Sequence, residues 1–452
     1  MCHNSSKLLK KAPQRTSGRD GSMEIKRDKY LQDLVDRMDN GMAKVVTGPR
    51  RCGKTYLLFE LFRSRLLEMG VDEEQIVEVA LDDERNAALR DPAALAAHLD
   101  ERTADGSRMH YVLLDEVQYA ISRKEARGEE PPRLYGVLNG LLRRRGVDVY
   151  VTGSNSRMLS TDVMTQFRGR GDEVRVRPLS FAEFMQGFGG DVYQGWAEYS
   201  VYGGMPLTLS MRTDEQKARY LESLARETYL KDVAQRNGIA KSRELEALVE
   251  VLASSIGSLT SPTKLEATFK SEMRSGVSAN TVAAYIGYLE DAFVLDEARR
   301  YDVKGRKYIG SPKKYYFEDM GVRNALLGFR QVEESHIMEN VLYNELRVLG
   351  WSVDVGVVEK RGRGPEGAYR RRLECDFVAN KGTKRVYVQS ALSMPTPEKA
   401  AQEKASLLAI GDSFEKVVLT RDVVKPTRDE DGILTMGLFD FLLGGDFDAS
   451  IP

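Results

Sequence analysis

The chain has 452 residues, 42% hydrophobic and 30% charged, and its 67 Lys and Arg nearly cancel 68 Asp and Glu for a net charge of −1. That length calls for roughly two to four domains, and the charge balance excludes global basicity as a reason to bind nucleic acid, so any such surface must be local. No apolar run approaches the ~20 residues that span a bilayer, and three scattered cysteines (Cys2, Cys52, Cys375) give no disulfide or zinc framework and fit a reducing cytoplasm.

Residues 1–22 are polar and basic, lack the apolar stretch of a secretory signal, and read as a disordered leader. Helical spacing from Tyr30 to Met38 ends at Asn40-Gly41. A short buried strand at 43–48 then enters a glycine turn, and an amphipathic helix runs from Tyr56 to Leu67. Further strands are expected at 76–81, 110–115 and 148–154, with helices near 92–99 and 134–145 and a charged surface loop at 123–132. A fifth strand precedes a helix that starts near Ser180. Strands alternating with helices predict an α/β domain over 23–200, a parallel sheet covered on both faces.

After about residue 200 the period becomes helical. Residues 201–240 read as a linker or lid, and 241–330 as helix, turn, helix and a two-stranded wing, a winged-helix-like domain. The last stretch, 331–452, opens on a helix at 334–350 and continues with strands near 352–358, 373–379 and 385–389, again α/β.

Gly48-Pro49-Arg50-Arg51-Cys52-Gly53-Lys54-Thr55 fits G-x-x-x-x-G-K-[ST], a P-loop. Its chemistry is carried by the backbone: the glycines let successive N–H groups turn inward around a β-phosphate, and the following helix N-terminus adds a favourable dipole. Lys54 is placed to bridge β- and γ-phosphate oxygens, and the Thr55 hydroxyl to ligate Mg²⁺. The strand 110–115 ends in Asp115-Glu116. Asp115 is the candidate to hold the metal and Glu116 the candidate general base for the attacking water. A strand intervenes in sequence between the P-loop and this pair, which points to P-loop proteins with an additional central strand and a catalytic glutamate. At the end of the fourth strand Asn155 and Ser154 are candidates to orient that water. Arg168 and Arg170 are candidates to reach a phosphate, in cis or from a second copy in a homo-oligomer.

Taken in order, VVTGPRRCGKTYLL, LLDEVQ, YVTGSNSRML, the Arg-Gly-Arg stretch and RPLSFAEFM resemble AAA-superfamily ATPases that carry a C-terminal domain of unknown function numbered 4143. YGGMP (202–206), ETYLKDVAQRNGI (227–239), LECDFVA (373–379) and VYVQSAL (386–392) extend the resemblance over roughly 25–445. It implies ATP rather than GTP, with Mg²⁺, and ATP hydrolysis; it leaves the biological role open.

In the C-terminal half, residues 279–288 could face a DNA groove, with Asn280 and Thr281 as their only base-reading side chains. The wing carries Arg299, Arg300, Lys304, Arg306, Lys307, Lys313 and Lys314, suited to phosphate contact. The last domain resembles the restriction-endonuclease-like core, with Glu339, Asp376 and Gln389 at its metal positions. The motif reads Gln389-Ser390-Ala391, so the activating lysine is missing and an inactive fold is expected. A basic loop at 360–372 adds a second possible contact with double-stranded DNA. The leading expectation is a cytoplasmic, ATP-driven switch acting on a partner; its rivals are a DNA-binding regulator that uses ATP only as a ligand, and a metal-dependent nuclease.

Overall fold

The computed structural model describes residues 25–126, 129–153, 170–239, 242–272, 276–330, 333–364, 367–444 and 447. The leader, Ser154, Asn155 and Arg168 lie outside these.

Five strands form the first sheet: β1 (Ala43–Thr47), β2 (Ile76–Ala80), β3 (His110–Asp115), β4 (Val147–Thr152) and β5 (Gly171–Arg175), in the order β2-β3-β4-β1-β5. Every pairing is parallel. β1 and β3 are buried along their whole length, which is why they read as continuous apolar runs rather than alternating ones. Separate apolar clusters cover the two faces, one built on Val45, Val79, Val112 and Leu138, the other on Val46, Leu57, Phe62 and Tyr150. The strand that intervenes in sequence, β2, is at the sheet's edge. The strand inserted between β1 and β3 in space is β4. The additional central strand is present, but it is not the one that sequence order suggested.

The helices Asp214–Ser223 and Ser242–Ser254 bracket a helical stretch at 224–236, and Pro262–Glu272 and Ala279–Asp291 follow. Asp214–Ser223 starts on a capping box: the Thr213 hydroxyl accepts from Gln216 N–H, with the Gln216 side chain reaching back. The second sheet has eight strands: β6 (Leu295–Asp302), β7 (Lys307–Phe317), β8 (Ser352–Gly364), β9 (Gly367–Lys381), β10 (Lys384–Ala391), β11 (Glu415–Thr420), β12 (Thr427–Arg428) and β13 (Leu434–Gly437). Their order is β12-β13-β11-β10-β9-β8-β6-β7.

The hairpin β6–β7, read from the sequence as a two-stranded wing, forms the edge of this sheet, because β6 pairs in parallel with β8 from Arg300 to Asp302. One apolar cluster runs from Leu179 through Leu248, Phe317 and Leu342 to Phe447, so the helical and C-terminal parts share a core. The basic stretch at 360–372 differs as well. It is not a loop but the outer part of β8 and β9, which pair in register out to Gly364 and Gly367. Among the described residues no helix is long and apolar enough to cross a membrane.

Candidate functional site

β1 ends at Thr47 and the chain turns at Gly48 with φ +144°. A Cβ there would stand 2.0 Å from the carbonyl oxygen of Val176, so only glycine fits. Gly53 at φ +98° closes the turn into the helical stretch that begins at Lys54. Arg51 also sits at positive φ (+64°), a costly conformation for a side-chain-bearing residue and one that concentrates at ligand sites. Lys54 is 4% exposed, and its ammonium donates to the carbonyl oxygens of Gly48 at 3.0 Å and Pro49 at 2.8 Å. It thereby stands inside the curve of the loop.

Across the loop, Thr55 Oγ1 donates to Asp115 Oδ2 at 2.7 Å, and the Thr152 hydroxyl donates to Asp115 Oδ1. Thr152 Oγ1 also accepts from the Glu116 N–H at 3.0 Å. Burial raises the Asp115 carboxyl above its usual range, opposed by the hydroxyls of Thr152 and Thr55. A buried carboxylate beside a hydroxyl offers the hard oxygens Mg²⁺ takes when phosphate and water complete its shell, so these two residues fit that ion. Among the described residues no group of three or more His, Cys, Asp or Glu could hold a metal by itself.

Glu116 is half-buried with φ +53°, and its carboxylate accepts from the Gln118 amide. It follows Asp115 at the strand's C-terminal end, on the P-loop side.

Arg170 is placed differently. Its carbonyl accepts from the N–H of Ala43, the first residue of β1, and β5 then runs parallel to β1. Its backbone therefore lies at the opposite edge of the sheet from the P-loop, ~13 Å away along the strand. That sets Arg170 apart from the loop at 48–55 of its own chain.

Several residues around the loop carried no sequence signal. Arg27 is buried and donates to the carbonyl oxygens of Cys52 at 3.1 Å and Arg177 at 2.6 Å, while its Nε lies 3.0 Å from Glu183. Tyr229 donates to the Arg50 carbonyl at 2.9 Å. Asp232 stands between Arg50 at 3.5 Å and Arg236 at 2.9 Å. Burial lowers the Arg236 pKa, Asp232 counters that, and the field of Glu116 also reaches it. The expected lid at 201–240 thus touches the loop itself. Only Thr152 had a legible cue, the polar end of the fourth strand.

A second polar cluster lies under the C-terminal sheet. Glu339 Oε1 accepts from Lys314 at 2.9 Å and from the Tyr316 hydroxyl at 2.7 Å, and Lys314 is also 2.8 Å from Glu374. Asp376 accepts from the Gln389 amide at 2.8 Å and from Ser390 N–H at 2.9 Å. Glu339, Asp376 and Gln389 therefore do converge. The ammonium missing from their sequence motif is present, supplied from β7 by Lys314. Burial would lower its pKa, but Glu339, Asp376 and Glu374 outweigh burial and raise it. This internal cation neutralises the carboxylates that a metal would need.

Residues 40–185 match the family model for an AAA domain, and 193–333 match that for a domain of unknown function numbered 8612, where the resemblance had suggested 4143. An uncharacterized protein of Haemophilus influenzae is 30% identical over 424 residues, 93% of this chain and 98% of that one. An uncharacterized protein of Methanocaldococcus jannaschii, MJ1544, is 23% identical over 84% of this chain and 81% of its own length. Among solved structures, Aeropyrum pernix Orc1 in complex with DNA aligns at TM-score 0.28 and 14% identity, covering 68% of this chain and 93% of that one. The replication initiator DnaA bound to AMPPCP and single-stranded DNA aligns at TM-score 0.26 and 16% identity, covering 58% and 86%. Scores this low say nothing of this chain beyond what its own strand order shows.

Proposed function

Because the chain belongs to the family of the Haemophilus influenzae protein and carries an AAA domain over 40–185, we propose that it is an Mg²⁺-dependent ATPase whose nucleotide state acts on a partner through the C-terminal sheet. The observation that carries the reading is the hydroxyl of Thr55 facing the carboxylate of Asp115 beside the turned-in Lys54. In this reading the amides of 48–55 wrap the phosphates, and Lys54 leaves its two carbonyls to pair with phosphate oxygens. Thr55 and Asp115 hold Mg²⁺, which supplies charge neutralisation at the phosphates. Glu116 takes the proton of the attacking water, and Arg236, supported by Asp232, is the in-chain cation that faces the developing charge in place of Arg170.

The switch reading is supported by a continuous buried path out of the loop. Cys52 Sγ contacts the Val176 carbonyl at 3.6 Å, the same oxygen that Gly48 abuts. The next residue, Arg177, pairs with Glu318 and with Asp296, each at 2.6 Å, on the far side of the domain junction. A movement of the loop on binding phosphate is thus passed to β6 and to the end of β7. The nuclease alternative is disfavoured by the neutral amide of Gln389 at the third metal position, where it donates to Asp376 in place of a carboxylate.

The first test is binding of a fluorescent ATP analogue with Mg²⁺. The parent binds it, and Lys54→Ala, with an unchanged far-UV spectrum, loses at least about tenfold in affinity. Equal binding by the two proteins refutes the site.

A further inference from the structure

The paired strands β8 and β9 extend well past their neighbours. On one side β6 reaches β8 only at Val355–Val357, and on the other β10 reaches β9 only at Phe377–Lys381. From Glu359 and Arg372 outward to Gly364 and Gly367 the ladder continues as a two-stranded ribbon with, among the described residues, no strand beside it. About six residues per strand make it ~20 Å long. The tip of the β6–β7 hairpin lies against its base, where Val303 N–H donates to the Val357 carbonyl and Lys304 Nζ donates to the Glu359 carbonyl at 2.9 Å.

Both hairpins are basic where they meet. Residues 359–372 hold six Lys and Arg against two Glu in a chain whose net charge is −1. Lys304, Arg306, Lys307, Lys360, Arg371 and Arg372 are all exposed. The register sets Lys360 directly opposite Arg371, and like charges on opposite rungs weaken a ribbon that two strands alone hold poorly. A hairpin with that defect is stabilised by a polyanion. Other basic residues of the expected wing are used internally: Lys313 pairs with Glu297, Lys314 with Glu339, and Arg299 lies over the Tyr308 ring.

We propose that this ribbon and the adjoining hairpin tip form a docking surface for double-stranded DNA, with the ribbon entering the major groove and the hairpin tip on the flanking phosphates. A major groove admits a two-stranded ribbon, and the exposed Lys304, Arg306, Lys307, Lys360, Arg371 and Arg372 suit a row of phosphates. The helix 279–291, which presents Asn280 and two alanines to solvent, has little to read a base with. The inference names the partner that the switch reading leaves open. It rests on that reading for its role in the cycle, not for the binding itself.

The test is fluorescence anisotropy of a labelled mixed-sequence duplex with the full chain, titrated with KCl in the absence of nucleotide. The parent binds with a log–log salt slope of about −4 to −5. The double variant Arg371→Ala with Arg372→Ala binds at least about tenfold more weakly, and its slope is shallower by about two. Arg371→Lys with Arg372→Lys keeps both affinity and slope. ATP turnover without DNA stays at the parental value in each variant, which separates this surface from the nucleotide site. Three results overturn the proposal: no binding of the duplex at low salt, parental affinity in the alanine variant, or capture by phosphatidylserine vesicles with the duplex ignored.

Discussion

The guanidinium of Arg177 crosses from the first sheet to the second and meets the carboxylate of Glu318 at 2.6 Å, both groups almost wholly buried. Arg177 is anchored next to the phosphate loop: its carbonyl accepts from Arg27 and its N–H contacts the Tyr30 hydroxyl at 3.2 Å. Taking one partner from a buried pair leaves the other charge uncompensated, though Asp296 still holds Arg177 here. Glu318→Gln is expected to cost about 2–3 kcal/mol in urea unfolding. It should also erase the ATP-dependent change in hydrogen exchange over 295–317 while ATP binding persists. An undiminished exchange response removes this pair from the path.

Gly48→Ala tests the loop's geometry without touching charge. The added methyl meets the Val176 carbonyl at 2.0 Å and a φ of +144° that alanine avoids, and backbone cannot yield as a flexible side chain does. The expected result is a loss of about 2 kcal/mol or more in stability with no detectable binding of the fluorescent ATP analogue. Parental binding in a stable Gly48→Ala protein contradicts the fold of the loop.

Glu345 gives a pH dependence. It is buried, and burial together with the nearby Glu183 pushes its carboxyl up to about 8 from an ordinary 4.5. The folded chain therefore holds this proton over a range where the unfolded chain has released it. The sign follows: the group does not penalise folding below about pH 4.5, and stability falls as pH rises toward 8. Glu345→Gln should match the parent near pH 5 and exceed it by about 2 kcal/mol at pH 8.5 in urea titrations. A constant offset across that range refutes the assignment.

The turn at 48–55 was legible because its demands fall on residue identity: positive φ at Gly48 and Gly53 and a lysine at the helix start are written locally. The place of Asp115 opposite Thr55 was legible because an apolar strand ending in acid, common alone, follows the glycine turn with another strand between them. Strand order was not, since β2 lies between the motifs in sequence and at the edge in space, while β4 supplies the inserted strand. The place of Arg170 within its own chain was hidden for a related reason. A parallel sheet has two distinct ends, and only the strand's starting point, Gly171, decides which end a preceding residue occupies. The basic loop was misread because the charges of the local β8–β9 hairpin hide a strand pattern; the wing's place at the edge of the second sheet was hidden because β6–β8 pairing joins residues about 55 apart, and spacing along the chain does not reveal such contacts. Lys314 could not be assigned to the Glu339 and Asp376 cluster for the same reason.

The central claim is that Glu116 removes a proton from water beside a metal held by Thr55 and Asp115, and Mg²⁺-dependent ATP turnover by the parent and Glu116→Gln tests it most directly. The account predicts that the glutamine variant binds ATP as the parent does but turns over at least about 100-fold more slowly. Parental turnover by Glu116→Gln, or no turnover by the parent with or without duplex DNA, contradicts it.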